Sequence, residues 1–250
     1  MKTHTNVSLT LQNLEKNFSK VQALALSGVS LHFEVGMLHG IIGPEAAGKT
    51  TLMRLLAGLL APSKGTISYS IDGVVASEFE TVRPLIAYMP ERQSLYADLS
   101  IKEHLDFFSK LYELTPSEYK EKQERLLSIT RLGGFLERPA GKLSGGMYKK
   151  LGLICALLRS PKVLLLDEPT NGVDPISRRE FWELLYSLRQ ENILMLVSTA
   201  YMDEAERCSR AHLFQEGKLL FSGIPSELLV KHRAKDFNEL FIKQAEQRVC

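Results

Sequence analysis

Cysteine is scarce in this sequence, and its placement argues against two common ways of stabilising a domain. The three cysteines, Cys155, Cys208 and Cys250, have neither paired spacing nor neighbouring histidines. A disulfide framework or a zinc site would need such spacing. We therefore expect three reduced thiols.

Long apolar runs and a strong charge of one sign are also missing. The longest apolar stretches, 163–166 and 193–197, are far too short to cross a bilayer, and the polar start at residues 1–5 lacks the apolar centre of a signal peptide. The formal net charge of +2 is too small to indicate nucleic acid binding, because Lys and Arg are scattered along the chain. We expect a cytosolic protein that reaches a membrane only through a partner.

The patterning that is present indicates an α/β domain with a helical insert. At 250 residues, with 44% hydrophobic residues, the chain has enough apolar material for one large domain that carries a smaller subdomain. Alternation at residues 8–18 and 29–33 predicts strands of an edge sheet. No strand pattern appears between residues 90 and 160, so this segment is predicted to be helical.

The stretch that organises the chain, residues 43–51, matches the phosphate-binding pattern G-x-x-x-x-G-K-[ST]. An apolar run before it predicts a strand, and leucines at helical spacing as far as Leu59 predict a helix after it. The N–H groups of such a loop and the positive end of the helix bind phosphates, Lys49 adds a mobile charge, and the Thr50 hydroxyl is a ligand for Mg²⁺. The residues assigned to nucleotide binding are Gly43, Pro44, Glu45, Ala46, Ala47, Gly48, Lys49, Thr50 and Thr51.

A second apolar run ends in two carboxylates, Asp167 and Glu168. The composition of residues 163–166 is typical of a central parallel strand that is buried on both faces. Asp167 is expected to hold Mg²⁺ through water, and Glu168 to polarise the attacking water. Paired acids in an ordinary loop are a poor alternative, because Pro169 and the turn Asn171-Gly172 follow directly.

Two further features point to ligand contacts. Ser144, Gly145 and Gly146 precede an apolar helical pattern, with Ser144 as the helix cap, and they predict a second anion-binding element; a plain Gly-Gly turn is the simpler alternative, which the downstream carboxylates disfavour. Phe18 lies on a predicted strand upstream of Lys49, where its ring is placed either to stack on an adenine or to pack beneath the sheet.

Together these motifs resemble those of the nucleotide-binding subunits of ATP-binding cassette (ABC) transporters, over residues 9–227. The details are most similar to the ATPases of bacterial drug-export systems, especially those with two cassettes on one chain. The matching motifs are GPEAAGKTT (Walker A), the run IAYMPERQSLYADLSIKE (Q-loop), LSGGM (signature), VLLLDEP (Walker B), NGVD (D-loop) and STAYMDEA (switch region).

The sequence departs from the family pattern in three places. Ala200 stands where most relatives carry a histidine that hydrogen-bonds the γ-phosphate. Glu91 occupies the position of the Q-loop glutamine, where it is assigned to the metal, and Gln93 is the alternative two residues on. Ala46 replaces a glycine and Glu45 places a carboxylate beside an anion-binding loop, and both are expected to lower nucleotide affinity.

The resemblance implies an α/β P-loop NTPase fold with a mixed central sheet, an antiparallel β edge sheet and a helical subdomain. We assign residues 1–90 and 161–233 to the ATP-binding core and 91–160 to the helical signature subdomain. The tail, 234–250, is interpreted as a docking helix, a linker or the boundary of a longer chain. Tyr96 and Leu99 are candidates for the groove that receives a permease, or are packed loop residues.

The functional expectation is the ATP-hydrolysing motor of an exporter, with Lys49 and Glu168 as its catalytic residues, ATP and Mg²⁺ as cofactors, and no nucleic acid partner. Its partners would be a second cassette, identical, different or in the same chain, and a transmembrane permease that holds it at the cytoplasmic face of the inner membrane. Two alternatives remain. One is a degenerate cassette that completes a partner's site with little turnover of its own, and the other is a soluble ABC ATPase acting in translation or chromosome maintenance.

Overall fold

The computed structural model describes residues 5–18, 24–92 and 94–246, which form two sheets flanked by helices. None of the helices in these ranges is long and apolar enough to cross a membrane. The strands are β1 (Val7–Lys16), β2 (Leu26–Phe33), β3 (Leu38–Ile42), β4 (Lys64–Ile71), β5 (Val74–Val75), β6 (Ile86–Met89), β7 (Val163–Asp167), β8 (Leu194–Thr199), β9 (Arg210–Gln215) and β10 (Lys218–Gly223). The helices are α1 (Lys49–Leu56), α2 (Phe79–Val82), α3 (Ile101–Leu111), α4 (Pro116–Thr130), α5 (Gly145–Leu157), α6 (Pro175–Leu188), α7 (Pro225–Lys231) and α8 (Phe237–Glu246).

The two sheets differ in strand direction. The smaller sheet has the order β2-β1-β4-β5 and is antiparallel throughout, and the larger has the order β10-β9-β3-β8-β7-β6. In the larger sheet every neighbouring pair is parallel except β9 and β10, which form a hairpin. The predicted α/β fold with a mixed central sheet and an antiparallel edge sheet is therefore confirmed.

Strand β7 lies between β6 and β8, and every one of its residues is buried. A parallel strand covered on both faces is stable only as a continuous apolar run, which Val163–Asp167 provides up to its last residue. Pairing of Asp167 with Ser198, and of Ile42 with Thr199, brings the carboxyl ends of β3, β7 and β8 to one edge of the sheet. That edge is where open α/β sheets bind their ligands.

The helical segment is built from helices with strong N-terminal caps. Ser100 and Glu103 form a capping box at α3, Thr115 and Glu118 form another at α4, and the Ser144 hydroxyl caps α5. Such caps satisfy backbone N–H groups that would otherwise lack partners at the first helical turn. Residues 94–160 contain no strand beyond an isolated bridge between residues 100 and 139, so the predicted helical insert is confirmed there.

The helix after the phosphate loop is shorter than the sequence pattern predicts. The apolar stripe after the phosphate loop was expected to continue to Leu59, but α1 ends at Leu56 and Gly58, at φ 68°, turns the chain away. Leu59 is consequently 61% exposed, and that part of the helix prediction is wrong. At the other end of the chain, Phe237 and Leu240 of α8 are fully buried against Leu228 and its neighbours, so this helix docks on the core.

Two buried histidines join the larger sheet to the residues around it. His39 Nδ1 lies 3.1 Å from His212 Nε2, while His39 Nε2 contacts the Glu34 carbonyl and His212 Nδ1 lies 2.9 Å from the Ser222 hydroxyl. Burial lowers the pKa of His39 to about 4 and that of His212 to about 3, with nearby Arg210 acting in the same direction. Both imidazoles are therefore neutral at pH 7.

This pair predicts acid sensitivity of the fold. Because the folded pKa values lie below the unfolded value of about 6.5, the unfolded state binds more protons as the pH falls below 6.5, so stability present above that pH is lost. We expect the free energy of unfolding to fall between pH 6.5 and 5 by up to about 1.4 kcal/mol per pH unit for each histidine. Urea unfolding of His39→Gln should show a shallower dependence of the free energy of unfolding on pH than that of the wild type. Equal pH slopes in the two proteins would contradict this expectation.

Candidate functional site: a phosphate loop facing two carboxylates

The loop between β3 and α1 is shaped by close backbone contacts. A Cβ atom at Gly43 would lie 2.3 Å from the Phe214 carbonyl oxygen, and one at Gly48 would lie 2.4 Å from the Ala25 carbonyl oxygen. Gly48 also has φ 98°, which side chains rarely tolerate. Ala46 adopts φ 61° in the left-handed region, at a cost of about 1 kcal/mol relative to glycine. Ala46, which stands where the family pattern has a glycine, therefore lies at a strained position of the loop.

Lys49 begins α1 and its side chain lies inside the loop. Its ammonium donates hydrogen bonds to the carbonyl oxygens of Gly43, at 2.8 Å, and Pro44, at 2.9 Å. It also forms an ion pair with Glu168 Oε1 at 3.0 Å, and both side chains are almost completely buried. The structure thus brings together the predicted phosphate-binding lysine and the predicted catalytic carboxylate, which are 119 positions apart (168 − 49) in the sequence.

Asp167 ends β7 and is held by three hydroxyl groups. Its Oδ1 accepts hydrogen bonds from Thr50 Oγ1 at 3.1 Å and Ser198 Oγ at 2.6 Å, and its Oδ2 accepts one from the Tyr88 hydroxyl at 3.0 Å. Burial, and then the nearby carboxylate, raise the pKa of Tyr88, so its hydroxyl stays a donor. The neighbouring hydroxyl and carboxylate of Thr50 and Asp167 are the hard oxygen ligands that Mg²⁺ prefers, so this pair fits the predicted metal.

Glu168 follows the strand in a left-handed conformation, with φ 47°. Its backbone N–H donates to Ser198 Oγ at 2.9 Å, and its Oε2 accepts from the backbone N–H of Ala200 at 3.1 Å. Burial raises the pKa of Glu168, while the charge and hydrogen bond of Lys49 oppose that rise. A carboxylate with a raised pKa is a stronger base, which suits a group that must accept a proton from water.

The cleft in front of these groups has a volume of about 450 Å³. A recess of about 160 Å³ adjoins it and shares Ala46, Lys49 and Thr50 with it. The cleft is lined by Glu45, Ala46, Lys49, Thr50, Glu91, Glu168, Asn171, Ala200 and Tyr201, and the recess by Ala25, Ala46, Ala47, Gly48, Lys49, Thr50 and Thr51.

Glu91 lies at the open side of the cleft. Its Oε1 accepts a hydrogen bond from Asn171 Nδ2 at 3.2 Å, and both residues are exposed. Its assignment to the metal stays a prediction. Gln93, the alternative residue for that role, lies outside the described residues.

The predicted signature residues lie elsewhere. Ser144 and Gly145 are exposed at the N-terminus of α5, where Ser144 Oγ accepts from the Met147 N–H at 3.3 Å, and no signature residue is among the described residues that line the cleft. Gly146 is buried, and a Cβ there would lie 2.5 Å from the Cβ of Ser177. The signature therefore has two exposed residues, Ser144 and Gly145, that do not line the cleft of their own chain.

Phe18 is 39% exposed and lies under the ammonium of Lys16, 5.2 Å from the ring centroid. The alternative that it packs beneath the sheet is therefore wrong. Stacking of its ring on an adenine stays a prediction.

A buried network that the sequence did not reveal joins the loop after Glu168 to the switch region. Glu204 is fully buried and accepts hydrogen bonds from Thr170 Oγ1, at 2.9 Å, and from Trp182 Nε1, at 2.9 Å. Arg178 approaches the same carboxylate at 3.5 Å and pairs with Asp203 at 2.6 Å. The residues carry no spacing signal, because they come from separate elements that meet only in the folded chain.

Comparison with known proteins identifies the family. The ABC transporter family model matches residues 26–171. The chain is 44% identical over 229 residues to the probable multidrug ABC transporter ATP-binding protein YbhF of Escherichia coli, covering 92% of this chain but only 39% of that protein. It is 34% identical over 234 residues to the Nod factor export ATP-binding protein I of Burkholderia orbicola, covering 93% of this chain and 76% of that one.

Solved structures agree with this result. An ATP-binding subunit of an ABC transporter superposes with a TM-score of 0.80 at 29% identity, covering 94% of this chain and 98% of that one. The cbiO1 protein of Clostridium perfringens, part of the transporter complex cbiONQ, superposes with a TM-score of 0.78 at 26% identity over 89% of this chain and 90% of its own. The chain therefore belongs to the ABC transporter family, of which it is an ATP-binding cassette.

Proposed function

We propose that this chain binds ATP with Mg²⁺ and hydrolyses it as the motor cassette of an exporter. The observation that carries the proposal is the meeting of Lys49, Thr50, Asp167 and Glu168 at one edge of the larger sheet. The names of the relatives from E. coli and B. orbicola, a multidrug transporter protein and an export protein, support the direction of transport.

Each residue has a separate task in this proposal. The backbone N–H groups of residues 43–51 and the Lys49 ammonium bind the β- and γ-phosphates. Thr50 and Asp167 would hold Mg²⁺, which when bound neutralises charge on the phosphate oxygens. Glu168 orients the attacking water and accepts its proton, with its carboxylate fixed by the Ala200 N–H. Phe18 stacks on the adenine.

The site is completed by a second cassette. Because the exposed Ser144 and Gly145 do not line the cleft of their own chain, they are available to bind the γ-phosphate held by another phosphate loop. The partner cassette is identical, different or part of the same polypeptide; the chain spans about two fifths of the YbhF protein.

A membrane permease is the second proposed partner, and it places the cassette at the cytoplasmic face of the inner membrane. Tyr96, which is 59% exposed, and the half-buried Leu99 lie in the segment that follows Glu91 and precedes α3. A contact there would reach the nucleotide cleft through Glu91 and its hydrogen bond to Asn171.

The second candidate function is a cassette that hydrolyses ATP slowly, and Ala200 favours it. Its backbone N–H contacts Glu168, but its methyl side chain offers no donor to a γ-phosphate. The alternative of a non-transport ATPase is not favoured, since the relatives named above are transport proteins.

The function is tested first by binding. Lys49→Ala should weaken the affinity for a fluorescent ATP analogue by about 10²-fold or more, because a buried charge-assisted contact with phosphate is lost. Lys64→Ala, which removes an exposed lysine paired with Glu15, serves as the control and should bind like the wild type. Unchanged affinity in Lys49→Ala would show that the loop does not bind the phosphates.

The second prediction is that the two ATP sites of a cassette dimer hydrolyse ATP at different rates. Ala200→His should raise turnover by about 10²-fold, since one preorganised donor to the transition state typically contributes about that much. Ala200→Phe adds a ring without a donor and should not raise it. In a mixed dimer, Ser144→Arg in this chain should lower the rate of hydrolysis at the partner's site. That loss should exceed the loss that Ala200 causes at this chain's own site. Wild-type turnover equal to that of a histidine-bearing cassette, abolished by Glu168→Gln, would show that another group replaces the imidazole.

A further inference from the structure

Lys149 lies in the second turn of α5, the helix that begins with the signature residues, and it points into the protein. Its ammonium donates hydrogen bonds to the backbone carbonyl oxygens of Glu168, at 3.1 Å, and Glu91, at 3.2 Å. The residue is only 9% exposed. One side chain thus joins the signature helix to the peptide of the proposed catalytic carboxylate and to the start of the loop at Glu91.

This lysine is costly to bury. Burial lowers the pKa of Lys149, and the charges of Glu91, Glu168 and Asp167 oppose that shift. In residues 5–18, 24–92 and 94–244, none of the carboxylates forms an ion pair with it within 4.0 Å. Three carboxylates beyond ion-pair distance and two backbone carbonyls therefore stabilise its charge, an arrangement that packing alone would not favour over an apolar side chain.

The contact with Glu168 lies at a backbone position that has little freedom. Glu168 has φ 47°, and its carbonyl also accepts the N–H of Asn171 at 3.2 Å. On the other side of the same residue, the carboxylate contacts Lys49 and the Ala200 N–H. A shift of this peptide would therefore move the carboxylate that faces the cleft.

We propose that Lys149 is a positioning residue, which ties the signature helix to the Glu168 peptide and to Glu91 and so holds the catalytic carboxylate in its working orientation. The inference rests on the proposed role of Glu168. Lys149 contacts no residue side chain of the phosphate loop and is not expected to bind nucleotide itself.

The neighbouring residue supplies a matched control. Lys150 is on the same helix, is also 9% exposed, and pairs through its ammonium with Glu180 Oε2 at 2.6 Å, on α6. Lys150→Met therefore removes the same charge and the same number of atoms as Lys149→Met but leaves the Glu168 and Glu91 peptides untouched. Lys149→Arg keeps a charged donor and tests rescue.

The test measures single-turnover hydrolysis of radiolabelled ATP by the full chain, with the affinity for a fluorescent ATP analogue measured in parallel. Lys149→Met should hydrolyse at least about tenfold more slowly, the size expected for loss of a charge-assisted hydrogen bond, with affinity changed by less than about threefold. Lys149→Arg should recover most of the rate, and Lys150→Met should stay within about twofold of the wild type. Hydrogen exchange at the Ala200 amide should quicken in Lys149→Met alone.

Specific results would overturn the inference. If Lys149→Met and Lys150→Met slow hydrolysis equally, or if rate and affinity fall together, Lys149 is a structural lysine. Should Lys149→Met fail to fold, Lys149→Gln, which keeps an uncharged donor, is measured in its place against the same criteria. Glu168→Gln separates the two proposals: if it hydrolyses at the wild-type rate, the role of Glu168 and this inference both fail, whereas its loss of activity beside an active Lys149→Met removes the inference alone.

Discussion

The geometry of the site depends on the hydrogen bonds that the Asp167 carboxylate accepts. It ends the buried strand β7 and accepts hydrogen bonds from Tyr88 of β6, Ser198 of β8 and Thr50 of α1. A fully buried carboxylate is stable only with such partners, so these three hydroxyls fix the spacing between two strands and the helix that follows the phosphate loop. With Asp167 fixed, the next residue, Glu168, faces the cleft and the ammonium of Lys49.

Parts of the site that depend on local chain geometry were predicted from the sequence. The phosphate loop, the cap at Ser144 and the apolar strand before Asp167 each follow from the properties of adjacent residues, and the structure has them where they were expected. The end of α1 was misplaced at Leu59, because leucine spacing continued past the glycine that terminates the helix. Local patterns therefore indicate which element forms more reliably than where it ends.

The contacts that join distant segments were not predictable in the same way. Tyr88 and Glu204 lie inside matched motifs and Lys149 follows the signature, but no motif indicates their buried partners, which lie far away in the sequence. A buried polar group must find a partner, but the sequence does not say which one until the strand order is known. For the same reason, only the folded chain shows that signature residues are exposed. That exposure is the basis for proposing a second cassette.

The central proposal is that a divalent metal binds beside Thr50 and Asp167 only together with ATP, at the cleft that Lys49 and Glu168 line. Electron paramagnetic resonance of Mn²⁺ in place of Mg²⁺ tests it most directly. We expect about one Mn²⁺ bound per chain when ATP is present, coupled to phosphorus nuclei, and little binding without ATP or in Asp167→Asn. Mn²⁺ binding that is independent of ATP, or that is unchanged in Asp167→Asn, would contradict it.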